Sequence, residues 1–146
     1  MNSTIHQFVV EQTAASFCCV DAEGRPYCWT CFYAFDAEKG WLFFKTGAES
    51  HHTPLMLQNP KLAGTILPDH LDAKAIQGVQ WEGELLPQTH ELTQNAEAQY
   101  YQRYSFAKNT PGVIYAVQVN HLKMTDNTQG FGTKLHWYRD EQFNPA

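Results

Sequence analysis

The sequence predicts a mainly β protein with short helices, folded as a small antiparallel barrel. Aromatic residues make up 14% of the chain and charged residues only 17%, a balance that favours sheets and opposes disorder. Six or seven short β-rich segments recur between turns rich in Gly, Asp and Asn. Two helical segments interrupt them, so helices would cover the openings of a barrel. Periodicity leaves one alternative open, an open sheet with helices on one face.

The length and the charge limit the class of protein. At roughly 100–200 residues per domain, the 146 residues predict a single domain over 1–146. A chain of this length buries about 68–70% of its unfolded surface, so its core needs no metal or disulfide. Ten Lys and Arg against fifteen Asp and Glu give a net charge of -5. This charge argues against a nucleic-acid or anionic-membrane partner.

The sequence shows no targeting or membrane-spanning segment. Its first residues lack the basic and apolar regions of a signal peptide. Every apolar run is shorter than the roughly 18 residues that a membrane span requires. We therefore expect a cytoplasmic protein without a membrane partner.

The first third of the chain predicts one helix and an antiparallel meander. Ile5, Phe8 and Val9 recur at helical spacing, and Asn2 or Ser3 can cap this helix. Three strands follow, at 14–20, 26–35 and 41–46. The connections between them are short and rich in Asp and Gly, so neighbouring strands should pair as hairpins.

The middle of the chain predicts a short helix and two strands. Ser50 is predicted to cap a helix over 51–58. The strands are predicted at 61–67 and 75–86. Gly78 and Gly83 lie within the second of them and indicate a bend or a bulge.

The last third predicts a longer helix and two final strands. Thr89 should cap a helix over 91–106, with Leu92, Tyr100 and Tyr104 on its apolar side. The strands are predicted at 113–119 and 134–138, separated by a Gly-rich loop. The tail over 141–146 should be loose.

The four cysteines invite a zinc interpretation that their spacing opposes. Cys28 and Cys31 lie three residues apart in a predicted strand, so their side chains face opposite sides and cannot easily share one ion. We therefore predict no metal site and expect reduced, packed thiols. If the first two strands form a hairpin, Cys18 or Cys19 lies opposite Cys28, and an oxidised cross-strand pair becomes conceivable.

The segment from Lys45 to Thr53 is the most informative stretch of the sequence. A strand ends, a hydroxyl-rich turn follows and a helix begins. The first N–H groups of a helix are unpaired and carry a partial positive charge, so such a place favours a phosphate. The side chains that could add donors are Lys45, Thr46, Ser50, His51 and His52. A capped helix with two surface histidines is the alternative.

The sequence gives less support to metal binding, haem binding or hydrolysis. His51 and His52 would point about 100° apart on a helix, so both cannot easily reach one metal ion. Single haem ligation by either histidine stays open. No hydrolase, zinc-protease or phosphate-binding-loop motif is present. The surplus aromatic residues, Trp29 and Trp137 among them, could stack on a flat ligand or fill a subunit interface.

The order of these segments resembles the pyridoxamine 5'-phosphate oxidase-like FMN-binding split barrels. The likeness covers nearly the whole chain. It rests on residues 33–36 and 40–46, then on Ser50-His51-His52, 59–63 and 78–84. The segment 123–132 is similar to that of a small bacterial subfamily of uncharacterised function.

This resemblance implies a six-stranded antiparallel split β-barrel that forms a homodimer, with FMN bound between the subunits. It also implies three groups of cofactor-binding residues. The first group would bind the phosphate and comprises Ser50, His51 and His52. The second would lie near the ribityl chain or the ring and comprises Thr30, Lys45 and Thr46. The third would come from the partner subunit and comprises Gln80 and Trp137.

The chain departs from the family pattern in two places. Histidine stands where the family has Arg or Lys, and it is mostly neutral at pH 7 unless the phosphate raises its pKa. Phosphate affinity should therefore be weaker and pH-dependent. The second strand lacks the Arg and Lys of true pyridoxamine phosphate oxidases and offers Trp29, Thr30 and Tyr33 instead. Their C-terminal substrate motif is also not apparent after 137–139, so we do not predict pyridoxamine phosphate oxidation.

Three functions are consistent with these observations. The first is an FMN-dependent oxidoreductase acting on a small-molecule substrate, with the redox chemistry supplied by the flavin. No catalytic residue can be assigned from the sequence. The alternatives are a non-catalytic dimer that binds or senses a flavin and a haem-binding split barrel.

Overall fold

The computed structural model describes residues 1–88 and 91–140, without the side chains of Leu92 and Thr93. The strands are β1 (Ala14–Val20), β2 (Pro26–Asp36), β3 (Trp41–Thr46), β4 (Lys61–Ile66), β5 (Gln77–Leu85), β6 (Val113–Asp126) and β7 (Lys134–Tyr138). The α-helices are α1 (Ser3–Glu11), α2 (His52–Gln58) and α3 (Glu91–Arg103), with 3-10 helices at Ser105–Asn109 and Asn127–Gln129. The predicted cap at Thr89, the apolar role of Leu92 and the loose tail at 141–146 lie outside the described residues.

Six of these strands close into an antiparallel barrel. The strands are ordered β3-β2-β1-β4-β5-β6-β7, and a further pairing of β3 with β6 closes the ring. β7 pairs with β6 alone and extends the sheet beyond the ring. The predicted mainly β class and the antiparallel barrel are therefore confirmed, and the open-sheet alternative is wrong.

Two element boundaries differ from the predicted ones by more than two residues. β6 runs for 14 residues to Asp126, where the sequence predicted a strand ending at Val119. Buried side chains continue to alternate beyond that point, at Leu122 and Met124, because β6 pairs with β5 and with β7 there. α3 ends at Arg103, and the rest of the predicted helix forms the 3-10 helix.

A bulge is present beside Gly83, but its extra residue lies in β6 and not in β5, where the sequence predicted it. Glu82 lies opposite His121, while Gly83 lies opposite Val119, so Asn120 is the extra residue. A Cβ atom on Gly83 would lie 2.4 Å from the carbonyl oxygen of Gln118. Only glycine therefore permits this close approach of β5 to β6.

Aromatic side chains fill the barrel and the interface with α3. Phe17 lies at the centre, with ring centroids 4.6 Å from Phe44 and 5.4 Å from Trp81. A second cluster packs the outer side of β3 and β6 against Tyr100, on the apolar side of α3 as predicted, and against Tyr104, which follows the end of α3. Among the described residues, no helix has both the length and the hydrophobicity needed to cross a bilayer.

The barrel is split where β2 and β3 separate. β2 pairs with β1 over 26–32, but its pairing with β3 covers only 33–36 and 41–44. The last two residues of β3, Lys45 and Thr46, pair with β6 instead. A cleft therefore opens between the first part of β2 and the end of β3, directly before α2.

Candidate functional site

The cleft between β2 and β3 is the candidate site, with a volume of about 420 Å³. The first part of β2 forms one wall, and the end of β3 with the turn before α2 forms the other. The segment after α3 covers the top. The lining residues are Trp29, Thr30, Cys31, Lys45, Thr46, Gly47, Ser50, His52, Tyr100, Phe106, Ala107, Thr110 and Pro111. Hydroxyl groups, a lysine and aromatic rings therefore meet in one place.

His52 is held in the cleft by a ring contact and a hydrogen bond. Its ring stacks on the Trp29 indole with centroids 3.9 Å apart and planes 3° apart. Its Nε2 atom lies 2.7 Å from Oγ1 of Thr46. Burial, and to a smaller degree the neighbouring His51, lowers the pKa of His52. The ring is therefore neutral near pH 7, and it positions the Thr46 hydroxyl.

The turn before α2 leaves the Ser50 hydroxyl facing the cleft. The predicted cap at Ser50 is wrong, because His51 occupies the N-cap position and no side chain caps the helix. The hydroxyl of Thr53 donates to the Gly47 carbonyl at 2.7 Å and stabilises the turn. The Oγ atoms of Ser50 and Thr46 lie 3.4 Å apart. Two hydroxyl groups thus stand side by side, and α2, with only seven residues, contributes little dipole.

Lys45 lies in the cleft, but its ammonium group already has partners. Nζ donates to the carbonyl oxygens of Ala107 at 2.6 Å and Thr110 at 2.7 Å. It also lies 4.9 Å from the centre of the Tyr101 ring. Lys45 therefore links the segment after α3, which covers the cleft, to β3, and it lines the same cleft as the hydroxyl pair.

The other three predicted site residues lie elsewhere in the chain. His51 is exposed, and its ring packs edge-on against Tyr27 at 4.7 Å. Gln80 lines a separate concavity on the outer face of the barrel. Trp137 is partly buried against the core and lies under the Arg139 guanidinium at 5.4 Å. One chain thus brings together Thr30, Lys45, Thr46, Ser50 and His52, but not these three.

Sequence reasoning missed the covering segment of the cleft. Tyr100, Phe106 and Thr110 come from a part of the chain more than fifty residues after Thr46. No local pattern marks them as site residues. They reach the cleft because Thr46 pairs with Val113. Tyr33, named in the sequence as a feature of β2, is fully buried and donates its hydroxyl to the Val9 carbonyl.

The outer concavity is wider, with a volume of about 560 Å³. It is lined by outward-facing residues of six strands, among them Cys18, Cys28 and Gln80. Nε2 of His121 lies 3.1 Å from Nδ1 of His136 at one side. Within residues 1–88 and 91–140, no three His, Cys, Asp or Glu side chains are grouped to hold a metal ion.

Comparison with other sequences identifies the family. None of the established protein-family profiles matches the chain. A protein of Serratia proteamaculans (strain 568), named UPF0306 protein, is 36% identical over 144 residues, which are 95% of this chain and 99% of that protein. The chain belongs to the UPF0306 family.

Comparison with solved structures supports the predicted split-barrel resemblance of this UPF0306 protein. A heme binding protein from Mycobacterium smegmatis has a TM-score of 0.74, covers 90% of this chain and 55% of its own, and is 14% identical. A pyridoxamine 5'-phosphate oxidase-related, FMN binding protein from Nostoc punctiforme has a TM-score of 0.71, covers 98% and 92%, and is also 14% identical. At 14% sequence identity, these comparisons show that the chain has the same fold as these two proteins, and they show only the fold.

Proposed function

We propose that this UPF0306 protein binds FMN in the cleft between β2 and β3 and acts as an FMN-dependent oxidoreductase on a small-molecule substrate. One observation carries the proposal. The cleft collects five of the eight residues that the family resemblance assigns to FMN: Thr30, Lys45, Thr46, Ser50 and His52. The FMN binding protein of Nostoc punctiforme shares the fold over nearly the whole chain. FMN, when bound, supplies the redox chemistry.

The phosphate is assigned to the hydroxyl end of the cleft. Ser50 and Thr46 can each donate a hydrogen bond to an anion, and the Lys45 ammonium lies beside the same cleft. His52 supports this arrangement by fixing the Thr46 hydroxyl. The stacked pair of Trp29 and His52 gives the cleft a flat aromatic wall on which a planar ring system can lie.

The homodimer is part of the same proposal. Gln80 and Trp137 lie away from the cleft of their own chain. They can contribute to an FMN site only from a second copy, which would place its outer face against this cleft. The outer concavity around Gln80 gives that second copy a surface to occupy.

The phosphate assignment is tested with Thr46→Val and Ser50→Ala. A hydrogen bond to a charged group contributes about 1.5–3 kcal/mol, so each change should weaken FMN binding by roughly 10- to 150-fold. Quenching of flavin fluorescence measures the affinity. Ser3→Ala, an exposed hydroxyl of α1, is the matched control and should bind FMN like the unaltered protein. Equal affinities in all four proteins would refute the assignment.

A haem-binding function is the second candidate, because one histidine is placed for it. His51 is exposed and packs beside Tyr27, so its ring can reach a large planar ligand at the surface. The Mycobacterium smegmatis neighbour is a heme binding protein. A Soret band on addition of haem, lost in His51→Ala, together with no FMN binding, would replace the flavin proposal.

Reduction of the bound flavin distinguishes an oxidoreductase from a dimer that only binds or senses a flavin. An oxidoreductase must accept electrons, so the absorbance of bound FMN should bleach when NADH or NADPH is added without oxygen. Air should restore the absorbance. Bound FMN that stays oxidised with both donors would favour the non-catalytic alternative.

A further inference from the structure

We propose that Cys18 and Cys28 form a reversible disulfide that joins β1 to β2 on the outer face of the barrel. The two residues are direct partners in the register of the hairpin. Both side chains line the outer concavity. Cys28 is exposed and Cys18 is half-buried, and both are free thiols in this structure. In the single chain the two sulfurs are therefore adjacent and open to a small reagent.

The hydrogen-bond pattern of the hairpin gives the pair the closer of the two antiparallel spacings. The Asp21 amide donates to the Arg25 carbonyl at 2.9 Å, and the Tyr33 amide donates to the Thr13 carbonyl at 3.1 Å. Counting inward from either end, hydrogen-bonded and non-hydrogen-bonded pairs alternate, and Cys18 with Cys28 is a non-hydrogen-bonded pair.

This spacing permits a disulfide, and the exposure of Cys28 leaves it open to reduction. Opposed Cα atoms in such pairs are about 4.5 Å apart, at the short end of the roughly 4.4–6.8 Å found in disulfides. Exposed or strained disulfides are the ones most easily reduced. The crosslink should therefore form and break within an intact fold.

The thiols of Cys18 and Cys28 already interact. Burial, followed by a hydrogen bond to Cys28, raises the pKa of Cys18. The exposed Cys28 is therefore the better first nucleophile, and Cys18 is the thiol that resolves the intermediate.

The other two cysteines are not placed to compete. Cys19 points into the barrel and is fully buried. Cys31 lies opposite Ala15 rather than opposite a cysteine, and burial raises its pKa to about 12. Its thiol is therefore protonated and a poor nucleophile.

The reaction needs a low-molecular-weight disulfide as the oxidant. The Cys28 thiolate attacks one sulfur of that disulfide, forms a mixed disulfide and releases one small thiolate. The Cys18 thiolate then attacks the Cys28 sulfur and releases the second small thiolate. Two protein thiols lose two electrons, the small disulfide gains them, and the two protons end on the two released thiols.

The test is thiol mapping of the folded protein after reaction with glutathione disulfide at mildly alkaline pH. Free thiols are alkylated and the protein is analysed by mass spectrometry. We expect the intact chain to lose two hydrogen atoms and two alkylation sites, with a Cys18–Cys28 crosslink that dithiothreitol reverses. Cys18→Ser should stop the reaction at a glutathione adduct on Cys28. Cys31→Ser, the matched control, should form the crosslink as the unaltered protein does.

Three outcomes would overturn the proposal: both thiols staying alkylatable, a crosslink to Cys19 or Cys31, and a crosslink between two chains. The crosslink depends on neither FMN nor substrate. The second copy of the proposed dimer would cover this concavity, so the reaction is run at a protein concentration where light scattering gives the single-chain mass. A missing crosslink there overturns the disulfide and leaves the proposed oxidoreductase function standing.

Discussion

At the scale of single residues, the packing around His52 determines the charge of its ring. The sequence places two histidines where the family has basic side chains, and this pattern predicts a site whose charge depends on pH and on the bound phosphate. In the folded chain the Trp29 indole covers the His52 ring, and the exposed fraction of His52 is only 8%. Desolvation then favours the neutral ring. Under the proposed function, the hydroxyls of Thr46 and Ser50 are therefore the anion donors instead.

The same burial predicts a pH dependence of stability. Because burial lowers the pKa of His52 in the folded state, the unfolded chain takes up a proton first as the pH falls below about 6.5. The free energy of unfolding should therefore decrease between about pH 7.5 and pH 5.5. Urea unfolding at a series of pH values measures it, and His52→Gln should flatten the slope.

His121 contributes to that slope in the same direction. Its pKa is lowered mainly by burial, against an opposing effect of Glu82. His121→Gln should therefore also flatten the curve, and the double variant should flatten it further. A stability that is constant or rises toward pH 5.5 in the unaltered protein would contradict the neutral, buried state of these rings.

At the scale of elements, β1 and β4 approach so closely at Gly64 that no side chain fits. A Cβ atom there would lie 1.9 Å from the Ser16 carbonyl oxygen and 2.6 Å from the Trp81 ring. Gly64→Ala should lower the free energy of unfolding by about 1–3 kcal/mol or more, because the strands must move apart. Chemical denaturation measures this loss.

Gly78→Ala provides the control for that experiment. Gly78 also lies in a strand of the same barrel, but its added Cβ would meet nothing nearer than 3.7 Å. This change should alter stability much less than Gly64→Ala. Equal losses in both variants would show that the cost arises from replacing a strand glycine in general, and not from the contact with β1.

The local elements could be predicted from local patterns in the sequence, whereas the split was implied only by the family resemblance. β1 has its predicted bounds, because Phe17 and Cys19 alternate inward between clear turns. The closure of the ring depends on β3 pairing with β6, about seventy residues later, and no local pattern encodes that distance. The segment with Phe106 and Thr110 reaches the cleft through this pairing. The site was therefore predicted on its β2 and β3 walls, but not on the side formed by this segment.

At the scale of the whole molecule, a closed barrel presents two separate concavities, one at the split and one on its outer face. The proposed function uses both, since Gln80 can reach a flavin only from a second copy. Light scattering during size-exclusion chromatography should therefore give twice the chain mass of 16.7 kDa. A single-chain mass in the presence of FMN would contradict the dimer and remove Gln80 and Trp137 from the site.

The most direct test of the account is a calorimetric titration of the purified protein with FMN. The account predicts saturable binding of one FMN per chain, because each chain supplies one cleft between β2 and β3. Binding should be accompanied by quenching of tryptophan fluorescence, since Trp29 forms a wall of that cleft. An absence of saturable heat with FMN, in a protein that remains folded, would contradict the assignment of this cleft as a flavin site.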